Sequence, residues 1–392
     1  MKIKKVRYII FLKDIFILAI SAFGGPQAHM AMMLDRLVKK RGYIDEQGLL
    51  ELHALCQFLP GPTSTQTLTA IGFKVGGPNL AYLTLLVWIL PAFIIMSTAG
   101  VLVSVLKSHN ISLEFTRFIQ PMAVGIVAYS ALIIVQKLVT SKTSIIIMIL
   151  STLACFFFRT PYVFPITLLV AGSFTAIHYK RHQREEKKKI KIEWSNFILW
   201  GGVLIGAALL GTVTSWRGIR LFENFYRIGS LIFGGGQVLI PHMYTEFVEF
   251  KGYLTSDEFL SGLGLVQAVP GPVFSITAFI GSIAMKDDGI TGQYMGSFMA
   301  SMGVFLPGTF LIFFVIRFWD ELKKFRIVKA SLNGVNAGSA GMVLAATVFL
   351  AWPSGDHYID YVIMLATFGI LKWGRIPAPF IILGGLALGF VL

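Results

Sequence analysis

Long apolar stretches separated by short polar segments dominate this chain, and the clearest of them cover residues 82–106, 118–135, 145–158 and 197–213. A helix needs about 20 mainly apolar residues to cross the hydrocarbon core of a bilayer. Each stretch is long enough to cross that core or nearly to cross it. The pattern therefore predicts an all-α polytopic membrane protein.

Glycine and proline interrupt other apolar segments, and these interruptions occur in pairs. Three pairs of similar strings lie 210 residues apart: Phe23-Gly24-Gly25-Pro26-Gln27 with Phe233-Gly234-Gly235-Gly236-Gln237, Gln57-Phe58-Leu59-Pro60-Gly61-Pro62 with Gln267-Ala268-Val269-Pro270-Gly271-Pro272, and Arg41-Gly42-Tyr43-Ile44 with Lys251-Gly252-Tyr253-Leu254. A duplicated apolar chain whose copies keep their helix breakers is typical of a transporter with its substrate site where the copies meet.

The charges of the loops predict that the two copies have opposite orientations in the membrane. Residues 36–41 form a basic loop, whereas the matching residues 246–251 carry two glutamates and one lysine. Conversely, residues 107–117 are weakly charged and the matching residues 317–329 are basic. Because basic loops stay in the cytoplasm, this exchange predicts inverted-topology repeats, with the N-terminus inside.

We predict three parts in the chain. Residues 8–179 and 222–392 are the repeats, and residues 180–221 join them through a charged cytoplasmic linker (180–193) and one unpaired membrane helix. That single extra crossing would invert the second repeat. Within each repeat, two broken segments, 8–34 and 48–75 in the first, are predicted to be re-entrant hairpins.

The amino-acid composition further limits the function classes that this chain can belong to. The chain is 55% hydrophobic and 14% charged, with a net charge of +14. The positive charge has two readings, the basic bias of cytoplasmic loops and a field that favours an anionic substrate. The basic residues form short clusters between apolar segments, which argues against nucleic-acid binding. Cys56 and Cys155 have no metal-ligand or disulfide spacing, so we expect no metal and no cofactor.

The two Pro-Gly-Pro strings are the first candidate binding elements. Their prolines end a helix, and irregular backbone at membrane depth must be buried in protein or line a wet cavity. The next half-helix then presents amides and hydroxyls to an anion; a simple kink at a helix interface is the alternative. The candidate substrate ligands are Gln57, Pro60, Gly61, Pro62, Thr63 and Ser64, and Gln267, Pro270, Gly271, Pro272 and Ser275.

The glycine breaks add further candidate ligands, namely Gly24, Gly25 and Gln27, and Gly234, Gly235 and Gln237. Close helix packing is the alternative reading. His29, Glu51 and His242 are candidates for proton coupling, although lone histidines are more often structural. Thr255 and Ser256 precede Asp257 and Glu258 in a pattern that predicts a helix cap.

No nucleotide-binding loop, metalloprotease motif or serine-hydrolase motif occurs, so we expect no enzyme activity. Transport would then depend on an ion or proton gradient, or on the membrane potential.

The motifs resemble the chromate ion transporter family in its two-domain form. The resemblance covers both halves and rests on residues 23–27, His29, 57–62, 233–237 and 267–272. It implies a transporter in the bacterial plasma membrane that exports chromate and gives chromate resistance. Family members often have a histidine where this chain has Gln237. If that histidine handles protons, Gln237 would remove this coupling route, and if it only donates a hydrogen bond, Gln237 could replace it.

Other interpretations stay open at this point. A sulfate or other oxyanion transporter and an anion channel would suit the same broken helices. A membrane reductase would need a haem, flavin or thiol site. A homodimer is compatible with the chain, but no motif indicates one, and the coupling ion, a proton or another, is not specified.

Overall fold

The computed structural model describes residues 8–23, 25–109, 114–177, 192–214, 216–233, 235–322, 325–351, 358–374 and 376–391. Gly24, Gly234 and most of the predicted linker 180–193 lie outside the described residues.

Every regular element among the described residues is helical, which confirms the all-α prediction. The helices are α1 (Tyr8–Ser21), α2 (Gly25–Met33), α3 (Glu46–Phe58), α4 (Thr63–Ser108), α5 (Ile119–Leu138), α6 (Lys142–Phe157), α7 (Val163–Ile177), α8 (Ser195–Val213), α9 (Arg217–Leu231), α10 (Gly236–Tyr244), α11 (Ser256–Ala268), α12 (Ile276–Ala284), α13 (Gly289–Val315), α14 (Trp319–Leu322), α15 (Arg326–Ala351), α16 (Tyr358–Gly369) and α17 (Ala378–Val391).

Five helical spans within the described residues are long and apolar enough to cross a membrane: Thr63–Ser108, Glu114–Leu138, Ser195–Val213, Lys286–Val315 and Ile327–Ala351. They contain the apolar stretches 82–106, 118–135 and 197–213 of the sequence. The polytopic prediction is therefore confirmed.

The predicted helix breaks are present. Helix α1 ends at Ser21 and α2 begins at Gly25, while α3 ends at Phe58 and α4 begins at Thr63. A further break interrupts α4, because Gly76 and Gly77 have non-helical backbone angles. We call residues 63–75 helix α4a and residues 78–108 helix α4b.

Side chains cap the helices that enter the broken segments. Thr255 Oγ1 accepts a hydrogen bond from the Glu258 amide at 3.2 Å, and Glu258 Oε2 accepts one from the Thr255 amide at 2.8 Å. This reciprocal pair is a capping box, and it confirms the predicted cap. At the matching position in the first half, Asp45 Oδ1 accepts from the Gly48 amide at 3.0 Å.

The chain forms two compact units. The first contains Met1–Ser112, Trp194–Ser230 and Leu265–Ile316, and the second contains Leu113–Glu193, Leu231–Gly264 and Arg317–Leu392. Each unit thus takes segments from both predicted repeats. The repeat boundaries and the inverted orientation stay predictions.

In the first unit, α4 is the central element, and it contacts α1, α3, α12 and α13. Helix α8 packs on α13 but leaves most of its apolar side chains exposed, as a helix facing lipid does. In the second unit, α15 packs against α5, α6 and α7, and α16 and α17 pack on α5.

Candidate functional site

The two Pro-Gly-Pro turns have the same backbone conformation. Gly61 has a φ of 117° and Gly271 a φ of 115°, a region that L side chains rarely adopt. Proline on each side of the glycine ends the incoming helix and removes backbone donors. Each turn therefore leads directly into a helical start, at Thr63 in one case and at Val273 in the other.

Each turn lies against a helix from the other half of the chain. A Cβ placed on Gly61 would lie 3.7 Å from Gly308 Cα on α13. A Cβ placed on Gly271 would lie 3.2 Å from Ala92 Cβ on α4b. Ala92 and Gly308 occupy the same place in the matching strings Leu90-Pro91-Ala92 and Leu306-Pro307-Gly308. The contacts are therefore reciprocal within the first unit.

Helices α4b and α13 run antiparallel. Tyr82 contacts Phe313 with ring centroids 5.3 Å apart. Further along α4b, Ser104 Oγ accepts a hydrogen bond from Gln293 Nε2 at 3.3 Å. Residue numbers thus rise along one helix as they fall along the other. Ala92 lies near the middle of α4b, and Gly308 lies seven residues before the last residue of α13.

The half-helices that follow the two turns run in opposite directions. Helix α4a starts beside Gly308 and reaches Phe313, because the Phe73 and Phe313 rings lie 4.9 Å apart. Helix α12 follows the turn beside Ala92. Its residue Ser282 lies next to Gly100 of α4b, because a Cβ placed on Gly100 would be 2.6 Å from Ser282 Cβ. Helix α4a is therefore parallel to α13, and helix α12 is parallel to α4b. Because α13 and α4b are antiparallel, α4a and α12 run in opposite directions. The positive ends of two helix dipoles therefore approach the middle of the same helix pair.

His29 joins the first glycine break to both half-helix starts. The Ala22 carbonyl lies 3.3 Å from His29 Nε2 and also accepts a hydrogen bond from the Gly271 amide at 2.8 Å. A carbonyl only accepts, so Nε2 carries the proton of a neutral ring. His29 Nδ1, 3.1 Å from Ser64 Oγ, then accepts from the hydroxyl. The structure thus brings together His29, Ser64 and Gly271 from the predicted set.

Trp88 fixes the same region from α4b. Its Nε1 donates to Thr65 Oγ1 at 3.0 Å, and its ring meets the His29 ring edge-on with centroids 5.3 Å apart. All three side chains are buried. The first turn of α4a is therefore rigidly held.

Gln66 belongs to this region, although our sequence prediction did not include it. Its side chain is 2% exposed, and Nε2 donates to the Pro60 carbonyl at 2.5 Å. Its Oε1 is buried and has no hydrogen-bond partner among the described residues. The sequence signal was the run of five polar residues from Thr63 to Thr67, in which Gln66 alone has an amide.

Three more buried polar atoms of the first unit have no hydrogen-bond partner among the described residues: Gln267 Nε2, Ser275 Oγ and Ser301 Oγ. Gln267 and Ser275 flank the second Pro-Gly-Pro turn. Ser301 lies seven residues before Gly308, which places both on one face of α13. Since buried polar groups are normally paired, these atoms are available to a ligand.

Other predicted ligands lie apart from this cluster. Gln57 is exposed, and its Nε2 lies 3.2 Å from His53 Nε2. Glu51 is half-buried and accepts from Gln47 Nε2 at 3.4 Å. Thr63 is half-buried, and its carbonyl accepts from the Thr67 hydroxyl at 2.8 Å.

The second unit holds Gly235, Gln237 and His242. Gly235 caps α10, and Gln237 Oε1 is buried without a hydrogen-bond partner in the described part of the chain. His242 is buried and stacks on Phe164 with ring centroids 4.7 Å apart. A coupling role for His29, Glu51 or His242 stays a prediction.

Among the described residues, no group of three or more His, Cys, Asp or Glu side chains is placed to hold a metal ion. The donors that the cluster can offer are amides and hydroxyls, a set suited to hydrogen bonds with an oxyanion.

Comparison with known proteins identifies the family. The model described as chromate transporter matches residues 10–177 and again residues 219–390. The chain belongs to the chromate transporter family.

Relatives in this family align over nearly the whole chain. An uncharacterised transporter of Methanocaldococcus jannaschii is 24% identical over 96% of this chain and 92% of its own. A probable chromate transport protein of Synechococcus elongatus is 26% identical over 92% of this chain and 89% of its own. A chromate transport protein of Pseudomonas aeruginosa is 25% identical, with 88% and 82% covered. No solved structure matches the chain significantly.

Proposed function

We propose that this protein is a secondary transporter that exports chromate and binds it in the first unit, between the two Pro-Gly-Pro turns. One observation carries the proposal. Two oppositely directed half-helices begin beside Gly308 and Ala92, and buried polar atoms near their starts have no hydrogen-bond partner among the described residues. Relatives named as chromate transport proteins support the choice of oxyanion.

Uncharged ligands suit a transported anion, because the anion must be released after it has bound. Helices α12 and α13 contain no charged residue and no histidine. Half-helix amides, Ser275, Ser301 and Gln267 can donate hydrogen bonds to an oxyanion, and the dipole ends add a favourable field. A fixed arginine beside the anion would add a large attraction at low dielectric and slow its release.

The family and the membrane spans support a cycle of alternating access in the bacterial plasma membrane. In this proposal the repeats have inverted topology, and the N-terminus and the linker 180–193 are cytoplasmic. An ion gradient, with the proton as the first ion to test, drives the exchange of inward-facing and outward-facing forms. The remaining predicted ligands, Gly24, Gly25, Gln27, Gly234, Gly235 and Gln237, stay predictions and are not part of the site proposed here.

Chromate flux in proteoliposomes tests the function. We expect chromate movement that depends on an imposed pH gradient or another ion gradient, with sulfate as the competitor. Movement of sulfate alone would keep the architecture and refute chromate as the substrate. Chromate flux that follows membrane potential without any counter-transported ion would identify a channel instead.

Paired serine variants test the site. Ser275→Ala combined with Ser301→Ala removes two donors, and we expect at least about tenfold weaker chromate transport. Ser97→Ala is the matched control, because Ser97 is buried in α4b and its Oγ donates to its own helix at Phe93. Equal transport by the double variant and the control would contradict this site.

A further inference from the structure

The orientation of the Gln66 amide follows from chemistry. A side-chain amide has one donor end and one acceptor end, and which is which must be assigned from the partners. The Pro60 carbonyl, 2.5 Å away, can only accept a hydrogen bond. The amide nitrogen must therefore face Pro60, and Oε1 must face away from it.

Two glycines lie close to the amide nitrogen of Gln66. A Cβ placed on Gly61 would lie 2.7 Å from Gln66 Nε2, and a Cβ placed on Gly308 would collide with the same atom. Because Gly61 and Gly308 have no side chain, they leave the space that the Gln66 amide occupies. The acceptor Oε1 is held beside the start of α4a, buried and without a hydrogen-bond partner in the described part of the chain.

A buried acceptor at this place distinguishes between oxyanions. A fully deprotonated oxyanion has only acceptor oxygens, so it would leave Oε1 unpaired and face it with negative charge. A singly protonated tetrahedral oxyanion has one hydroxyl to donate and three oxygens to accept. Three further atoms of the first unit that have no hydrogen-bond partner among the described residues, Ser275 Oγ, Ser301 Oγ and Gln267 Nε2, are able to donate.

We propose, on the basis of the function proposed above, that Gln66 Oε1 selects a singly protonated oxyanion. Chromate takes up its last proton near neutral pH, whereas sulfate and selenate do so only in strong acid. Gln66 therefore makes the protein prefer hydrogen chromate to sulfate and selenate. Above the pKa of hydrogen chromate, the bound species becomes scarcer by about tenfold per pH unit, and apparent chromate affinity falls with it.

Titratable side chains of the protein lie near Gln66, and their own titration would also change anion affinity with pH. His29 on α2 contacts Ser64, and His53 on α3 lies 3.3 Å from Thr67 Oγ1. On α1, Asp14 is held by Arg36 and Arg41, and α12 and α13 contribute no charged group. A histidine that becomes protonated at low pH would attract divalent selenate more strongly than hydrogen chromate. Titration of these groups would therefore make the chromate-to-selenate affinity ratio rise with pH, which is opposite to the fall expected from the proton of the ligand.

The experiment measures competition by chromate and by selenate, two tetrahedral anions, from about pH 6 to about pH 8 on the purified full chain. We expect the chromate-to-selenate affinity ratio to fall by about tenfold per pH unit above the pKa of hydrogen chromate. Gln66→Met should lower the ratio by about ten- to hundredfold at the lower pH and flatten its pH profile. Gln47→Met, at an exposed position on α3, is the matched control and should keep the wild-type ratio.

The outcomes separate this inference from the proposed function. Equal competition by selenate and chromate at every pH would overturn selection of a protonated anion while leaving oxyanion binding intact. A ratio unchanged in Gln66→Met would overturn the assignment to Gln66. If neither anion binds the wild type, the proposed function itself fails. If Gln66→Met does not fold, Gln66→Ala removes the same acceptor, and a chromate-to-selenate ratio unchanged in that variant would overturn the assignment to Gln66.

Discussion

Replacing Gly308 with alanine tests the contact on which the candidate site depends. The new Cβ would collide with Gln66 Nε2 and would lie 3.3 Å from the Pro60 carbonyl oxygen. The end of the glutamine side chain can move, whereas the carbonyl belongs to the backbone of the turn. Gln66 would therefore leave Pro60, and the carbonyl would lose its hydrogen bond.

The expected cost follows from these contacts. Leaving a buried carbonyl unpaired costs about 1–3 kcal/mol, and crowding a packed interior costs about 1–3 kcal/mol. Alanine is favoured over glycine inside a helix by about 1 kcal/mol, which offsets part of the loss. We expect Gly308→Ala to lower the free energy of unfolding by about 1–5 kcal/mol and to abolish most chromate transport.

Two buried cysteines provide the assay. Cys56 lies in the first unit and Cys155 in the second, so a thiol-reactive fluorophore reports the opening of each unit separately. In a Cys155→Ser background, labelling of Cys56 during heating measures the first unit. Gly202→Ala is the matched control, because a Cβ at Gly202 on α8 has nothing within 4 Å. We expect this control to be as stable as the parent or more stable.

A double-mutant cycle decides whether Gln66 carries the effect. In a Gln66→Ala background the collision with Nε2 is absent and only the 3.3 Å approach to the Pro60 carbonyl oxygen stays, so adding Gly308→Ala should cost much less than in the wild type. A loss of stability from Gly308→Ala that is equally large in both backgrounds would refute the reasoning.

Two further predictions use the same labelling assay. Asp14 is buried and accepts hydrogen bonds from Arg36, Arg41 and Tyr43, so we expect Asp14→Asn to destabilise the first unit by about 1–3 kcal/mol; unchanged Cys56 labelling would contradict a stabilising role for this cluster. Thr255→Ala removes the cap of α11 and should destabilise the second unit by about 1 kcal/mol, reported by Cys155; a shift at Cys56 without one at Cys155 would be inconsistent with that placement.

Much of the architecture follows from local rules that act on short stretches of sequence. Apolar stretches of membrane length form helices because every backbone polar group must be paired in a bilayer. Proline and glycine ended helices at the predicted breaks, at Ser21 and at Phe58, because proline lacks a backbone donor. Thr255 and Glu258 formed their cap because their spacing satisfies two free amides of one helix.

The candidate site depends on contacts between distant parts of the chain. Nothing near Gln66 in the sequence indicates that Gly308 would pack against it, and nothing near Gln57 indicates that its side chain would be exposed. Ser301 likewise lies in an apolar helix, and nothing near it in the sequence indicates that its hydroxyl is buried on the face of α13 that contains Gly308. The contacts and the burial of these three residues depend on which helices pack against each other in the folded chain.

The sequence by itself determined the helical membrane class, the helix breaks and the family, because hydrophobic length, backbone chemistry and motif spacing are local properties of the chain. Only the tertiary structure decided which buried polar atoms keep a partner. Pairing depends on distances between segments far apart in sequence, and a glycine such as Gly308 acts through the side chain that another segment places beside it.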